Sequence, residues 1–299
     1  MGKTGRIRNQ SVLGVAFDVF NVLFLAAYAL AAILPFLYVV AGSLASTYEF
    51  RTRPFFIIPQ TFNVQSYLYI LKSERLLRAG LVSIYRTVLG TVINMAFTLT
   101  MAYPLSRRGL KGRNLILNLI VFSMLFSGGM IPTFLVVNAL GLIDTIWALV
   151  LPGAISAWSL IIVKTFFQDL PPGLEEAARI DGGTDLQILV RIVLPLSMPI
   201  VATFSLFYAV GHWNAFFDAL IYLNSSNKWP LQLMLRQMVA FATQGTFGSA
   251  QDISELTGSI PEDGVKMAVI VVSTVPILMV YPFLQKYFTK GVLIGAIKG

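Results

Sequence analysis

Six apolar segments govern what this chain can become. They fall at about 18–43, 79–105, 115–137, 145–167, 194–222 and 266–287. Crossing the hydrocarbon of a bilayer as a helix takes about 20 mostly apolar residues, and each segment reaches that length. Lipid offers a bare backbone no hydrogen-bond partner, so each segment must close its own bonds as a helix. Composition agrees: of 299 residues, 56% are hydrophobic and 12% charged, against roughly 25% charged in a soluble domain. The expected fold is an all-α polytopic membrane protein with six transmembrane helices.

Basic residues orient the spans. Lys3, Arg6 and Arg8 precede the first segment, Arg107, Arg108, Lys111 and Arg113 crowd the turn after the second, and Lys286, Lys290 and Lys298 accompany the end of the sixth. Six crossings put all three groups on one side, and basic loops face the cytoplasm. Both termini are expected there. Arg51, Arg53, Lys72, Arg75 and Arg78 run against this pattern in the first outer loop, where Glu49 and Glu74 partly offset them. The net charge of +8 is then a matter of topology rather than a nucleic-acid surface. The basic start suggests a signal peptide, but the apolar run 19–40 is too long for its core, which predicts an uncleaved signal anchor. Arg6 stands where a myristoylation signal needs Ser or Thr. The chain has no cysteine, which excludes disulfides and thiol catalysis.

Between the fourth and fifth segments the chain reads EEAARIDGGTDLQILVRIVLP, residues 175–195, with six charges by Arg191. Pro171 and Pro172 suit the start of a helix, because a missing N–H costs nothing in the first turn. Glu175 and Glu176 complement the positive end of the helix dipole, and Arg179 is spaced to pair with either. Gly182-Gly183 predicts a left-handed stop, and Thr184 or Asp185 a cap for a second helix. That second helix carries Leu186, Ile188, Leu189, Ile192 and Val193 back toward the membrane, with Pro195 kinking or ending its first part. Ala177 and Ala178 present a small-residue face that another protein can approach closely, with charges beside it to set register. A solvated loop with surface ion pairs explains neither the doubled alanine nor the glycine stop.

Glu176-Ala177-Ala178, Gly182 after three residues, and Ile192 after nine more with Leu194-Pro195 resemble, without a gap, the EAA signature of ABC-importer permeases. AYPLSRRGLKGRN at 102–114 is similar to the corresponding loop of maltose-type carbohydrate permeases. SMLFSGGMIPTFLVVNALGLIDT at 123–145, GHWNAFFDALIYLN at 211–224 and the C-terminal VYPFLQKYFTKGVLIGAIKG are similar to the subgroup serving oligosaccharides and polysaccharide fragments, including the smaller permease of the alginate importer. The resemblance implies a type I importer permease of the MetI-like fold. It divides the chain into a tail, first helix and outer loop (1–78), a permease core (79–287) and a C-terminal tail (288–299). The stretch at about 173–183 becomes the coupling helix that docks in an ATPase subunit. Glu175, Glu176, Ala177, Ala178, Arg179, Asp181 and Gly182 would form that joint, and Ile192, Leu194 and Pro195 the re-entry into the membrane. The implied partners are a second, homologous permease, an ATPase dimer that binds ATP and Mg, an extracytoplasmic solute-binding protein, a carbohydrate and the bilayer. The implied location is the bacterial cytoplasmic membrane.

Ionisable and aromatic residues in the segments are weaker signals. Asp18 lies close enough to an interface to reach water. Arg86, about two turns inside the second segment, suits either a translocation cavity or a pairing with a neighbouring helix. Trp213, Asn214 and Asp218 are candidates for the substrate path, although aromatics there also suit packing. The basic outer loop and Arg86 are compatible with an acidic oligosaccharide such as a uronate. His212, the only histidine, lacks the companions of a metal site and suits a helix-packing hydrogen bond, so no metal is expected. Gly128-Gly129 with Pro132, and Pro276 with Pro282, predict kinks or close helix approaches.

The chain has no G-x-x-x-x-G-K-[ST], H-E-x-x-H or G-x-S-x-G, so no catalytic role and no bound cofactor is expected. The competing reading is a sugar transporter driven by an ion gradient. That class tends to show internal repeats or acid pairs within the membrane, and the sequence shows neither.

Overall fold

The computed structural model describes residues 12–244 and 262–296. Lys3, Arg6, Arg8 and Lys298, and the outer-loop acids Asp252 and Glu255, lie outside the described residues. The described residues are helical with connecting turns, and no strand occurs among them. Two compact units separate: residues 1–70 with 249–271, and residues 71–248 with 272–299.

In the first unit, helix α1 (Val12–Ser43) is long and apolar enough to cross a membrane. Residues 15–37 are exposed on every side within the chain, leaving that surface for lipid or another subunit. Its end is tied down by Ala41, Ala45 and Phe56 packing with Tyr38 and Phe50, and by Ser43 Oγ, which meets Tyr67 Oη at 2.7 Å. The short helix α2 (Thr47–Thr52) carries Glu49, only 3% exposed. A buried carboxylate needs partners, and Arg53 Nη1 at 2.6 Å and Gln60 N at 3.0 Å supply them. Helix α3 (Gln65–Lys72) follows.

The second unit is organised around α4 (Glu74–Ser106), whose 33 residues span about 50 Å. Ser73 caps it, accepting from Leu76 N, and Glu74 sits in the first turn where the dipole favours an acid. Against it pack α8 (Ala157–Gln168), α12 (Met198–Asn214) and α14 (Leu231–Gln244). Tyr103, Leu105, Leu160, Val163, Phe167, Val193 and Phe204 form the core between these helices.

The expected spans are less continuous than their hydropathy suggests. The third is two helices, α5 (Arg113–Leu125) and α6 (Met130–Ala139), bent by 116°. The bend falls where Gly129 adopts φ +85°, which a side chain would resist. The fourth starts as one turn, α7 (Trp147–Val150), breaks around Pro152-Gly153, and resumes as α8. The fifth turns by 87° at Ser197 and stops again at Ala215 before α13 (Phe217–Tyr222). The loop expected at 223–265 contains α14. The last helix, α15 (Glu262–Ala296), runs through Pro276 and Pro282 without interruption. Among the described residues, three helices are thus long and apolar enough to cross a membrane, or up to five if each bent pair is one span, with α8 a shorter apolar helix.

Every break releases backbone groups, and polar side chains of α4 take several of them. Arg86 Nη1 donates to Ala215 O at 3.0 Å, and Asn94 Nδ2 to Gly153 O at 2.6 Å. Ser83 Oγ accepts from Leu231 N at 2.8 Å, at the start of α14. Thr98 Oγ1 meets Tyr208 Oη at 2.9 Å. Asn94 Oδ1 also holds His212 Nε2 at 2.8 Å, the packing hydrogen bond expected of this histidine. The ring crosses so close to Gly90 that a Cβ there would lie 2.4 Å from Nε2. Asn94→Leu strands a carbonyl and the imidazole together. We expect it to cost about 1–3 kcal/mol, read as a lower thermal midpoint of the purified protein. An unchanged midpoint would remove this bond from the account of the fold.

Candidate functional site

The charged interruption folds as α9 (Pro172–Ile180) with Pro172 in its first turn. Its C-terminus is closed by two backbone bonds, Gly182 N to Arg179 O at 3.1 Å and Gly183 N to Ala178 O at 2.9 Å. This is the Schellman arrangement. Gly182 adopts the left-handed φ of +81°. Gly183 is constrained differently: a Cβ there would lie 2.8 Å from Ala178 O, so a side chain would force the turn open. Thr184 then caps α10 (Asp185–Ile188), forming a capping box with Gln187.

The residues of α9 divide sharply by exposure. Leu174, Ala177 and Ile180, three apart, form one exposed apolar stripe, and Ile180 is 86% exposed. Glu176 is exposed beside it. Ala178 is half-buried against the protein's own core, so the two alanines face different surroundings. Glu175 is 8% exposed and ion-paired with Arg107, the residue that ends α4. The expected pairing of Arg179 with Glu175 or Glu176 is replaced: Arg179 Nη2 reaches Asp185 Oδ1 at 2.8 Å. Arg107 claims Glu175, and the glycine turn brings Asp185 round to Arg179. Asp181 closes the helix, its N–H reaching Ala177 O. A recess of about 1220 Å³ lies alongside, lined among others by Tyr103, Arg107, Glu175, Glu176, Arg179 and Asp185.

Beyond α10 the chain winds as a π-turn, Leu189–Val193, and then as the short α11 (Leu194–Leu196) before the bend at Ser197. Ile192 and Leu194 are half-buried and Pro195 is exposed.

A second cavity, of about 450 Å³, lies along α4. Arg86, Asn94, Tyr208, His212, Asp218 and Tyr222 supply its polar groups and Phe207 an aromatic face. Arg86 is 1% exposed and ion-paired with Asp218, so its charge is spent within the chain. Of the remaining weak candidates, Trp213 is buried and donates Nε1 to Ser273 O at 2.9 Å, while Asn214 is exposed and does not line this cavity. Trp213 therefore has a packing role.

Sequence reasoning passed over Asp144. It holds φ +59°, the only non-glycine residue in the left-handed region among those described. Aspartate tolerates that region better than most residues. Its carboxylate accepts from Ser225 N at 3.0 Å, Ser225 Oγ at 2.7 Å and Lys228 Nζ at 2.7 Å. Its N–H donates to Tyr222 O. This clamp ties the loop after α6 to the loop after α13. Asn94 and Arg107 were also underrated, the first as one uncharged residue in an apolar run and the second as one of four loop cations.

These features define a helical membrane permease component: a kinked bundle with an open cavity along α4 and an exposed amphipathic helix. Residues 95–294 match the family described as the binding-protein-dependent transport system inner membrane component. The chain belongs to that family, and it is a non-catalytic, multi-pass inner-membrane permease of a binding-protein-dependent ABC importer. It is 55% identical to the protein LplC of Bacillus subtilis strain 168 over 287 residues, 96% of each chain. To the polygalacturonan/rhamnogalacturonan transport system permease protein YtcP of the same organism it is 52% identical over 285 residues, 95% of this chain and 98% of that one. A solved chain from a bacterial ABC transporter involved in the import of the acidic polysaccharide alginate superposes with a TM-score of 0.86 at 32% identity, covering 93% of this chain and 98% of that one.

The clamp's pH behaviour follows from its bonds. Lys228 and Ser225 hold the Asp144 carboxyl well below the usual carboxylate range. A depressed acid contributes stability that is complete above its unfolded pKa, about 3.9, and lost as pH falls through the lower folded value. Asp144→Asn is therefore expected to melt below wild type by a constant margin from about pH 5 to about pH 8. The two should converge only in strong acid. A margin that closed near neutrality would show that another group controls this loop.

Proposed function

We propose that this chain is the shorter permease of a heterodimeric pair in a type I importer of oligosaccharides or polysaccharide fragments. It crosses the membrane six times, α8 completing the count, with both termini in the cytoplasm. The loop cations Arg107, Arg108, Lys111 and Arg113 and helix α9 then lie on the cytoplasmic side, and the Asp144 clamp on the outer side. A homologous permease, an ATPase dimer and an extracytoplasmic binding protein complete the assembly. The carbohydrate assignment is supported by the roles of relatives: polygalacturonan/rhamnogalacturonan transport for YtcP and alginate import for the solved transporter.

The observation that carries this reading is the exposed stripe of Leu174, Ala177 and Ile180 on a helix whose opposite side is locked into the chain. An 86%-exposed isoleucine gains by burial in a partner, and an alanine between two larger side chains lets that partner come close. Glu176, Arg179 and Asp181 surround the stripe with charge that can set register. Closure of the ATPases around ATP draws the two permeases' coupling helices together and turns the cavity outward to receive sugar; hydrolysis resets it. The cavity beside α4 forms part of the path, with Tyr208 and Tyr222 toward hydroxyls and Phe207 toward a sugar face. Arg86, already neutralised by Asp218, is not available to a substrate carboxylate.

Reconstitution with its partners in sealed vesicles tests the reading. Ala177→Trp should leave the chain in the membrane but abolish both transport and substrate-stimulated ATP hydrolysis. Wild-type uptake should follow internal ATP with uronic or neutral oligosaccharides as cargo, whichever the binding protein retains. Uptake that persisted without ATP and collapsed with an ionophore would restore the ion-gradient reading.

A further inference from the structure

A short helix that receives force is useful only if the force reaches the cavity. The covalent route from α9 into the membrane is compliant. It passes the Gly182-Gly183 turn, a π-turn at Leu189–Val193 and an 87° bend at Ser197. Each of these is a place where backbone dihedrals can absorb displacement.

A second route bypasses all three. Glu175 is 8% exposed on a helix whose next two residues, Glu176 and Ala177, are exposed. Carboxylates are rarely buried unless paired, and the partner here is Arg107. The Arg107 guanidinium also lies over the Tyr103 ring, 4.6 Å from its centroid. Tyr103 is 6% exposed and belongs to the core that includes Val163, Phe167 and Ile188. Arg107 is thus held at once by the coupling helix and by the core, at the very end of α4. From there α4 extends uninterrupted for 33 residues, and Asn94, Arg86 and Ser83 along it hold Gly153, Ala215 and Leu231. The first two of these bonds join residues in the wall of the cavity along α4.

We propose that Arg107 is the positioning residue that transmits coupling-helix movement to the cavity, by fastening α9 through Glu175 to the rigid helix α4. The proposal rests on the coupling role of α9 given above. Losing either charge leaves the other half-buried without its partner and leaves the compliant route as the only connection.

The test uses the complete importer in vesicles. Arg107→Gln should assemble with the partners and keep basal ATP hydrolysis, while transport per ATP hydrolysed falls about tenfold, within the range of ordinary coupling energies; Glu175→Gln should show the same fall in transport per ATP. Arg107→Lys, which keeps the charge but loses the planar fork, should fall between wild type and Arg107→Gln. A spin label at Leu81, exposed on α4, separates transmission from simple weakening of the fold. In wild type it should shift on ATP binding. In Arg107→Gln it should stay still while a label at Glu176 still moves. If Arg107→Gln does not assemble, the same pair of labels is read in Arg107→Lys, where the Leu81 shift should shrink relative to that at Glu176. Equal shifts at both sites, or unchanged transport per ATP in variants that assemble, would overturn the proposal. If Ala177→Trp also left transport unchanged, it is the coupling role of α9 itself that would fall.

Discussion

A backbone carbonyl or amide freed inside an apolar medium must find a partner, and this requirement shapes the second unit. Its helices break at Gly153, Ser197 and Ala215, within stretches whose composition suits hydrocarbon. An unsatisfied amide in such a place costs several kcal/mol on the order of its transfer free energy. The unbroken α4 answers two of these breaks with Asn94 and Arg86, and fixes the start of α14 with Ser83. The kinked helices are therefore not independent rods that happen to bend. Their breaks are indexed to positions along one helix, and a shift of that helix must carry them along or leave polar groups stranded.

Four ion pairs among the described residues also tie this unit together. Arg86 is tied to Asp218, Arg107 to Glu175, Asp144 to Lys228 and Arg179 to Asp185. The four pairs differ in what they join. Arg86–Asp218 and Arg107–Glu175 fasten separate elements to α4, the first about three turns from its start and the second at its end. Asp144–Lys228 closes loop on loop, and its persistence in acid follows from a carboxylate that accepts from four donors, Asn224 N, Ser225 N, Ser225 Oγ and Lys228 Nζ. Arg179–Asp185 bridges the glycine turn and is well exposed, so it contributes little to stability. Its consequence is geometric: with Arg179 turned toward Asp185, Glu175 is left to Arg107.

Much of this was legible in the sequence because the strongest signals were local. Pro172, Gly182 and Thr184 each dictate a backbone state within a few residues, and the structure places a helix start, a left-handed stop and a cap at those points. Helical class and membrane residence likewise follow from hydropathy alone. The bends were less legible. Hydropathy integrates over a whole segment and does not register that Gly129 or Gly153 divides it. Gly128-Gly129 marked the first break and Pro195 the turn at Ser197 two residues on, but neither signal gave the size of its bend. The pairings were least legible, because each joins residues far apart in sequence. Arg107 is indistinguishable from Arg108 until the fold brings Glu175 beside it, and Asn94 reads as one polar residue among many until Gly153 and His212 appear on either side.

The internal neutrality of the cavity bears on where selectivity resides. A path that bound its cargo tightly through a free charge would hold it, and conduction requires sites weak enough to release. Here the only arginine lining the cavity is neutralised by Asp218 and donates to a backbone carbonyl, and Asn94 and His212 already bond each other. In the proposed path, what remains for a passing sugar is aromatic surface and hydroxyl-scale hydrogen bonding. On that proposal, discrimination between acidic and neutral chains falls to the binding protein, and the permease has the task of moving the cavity wall in step with a helix at the other end of α4.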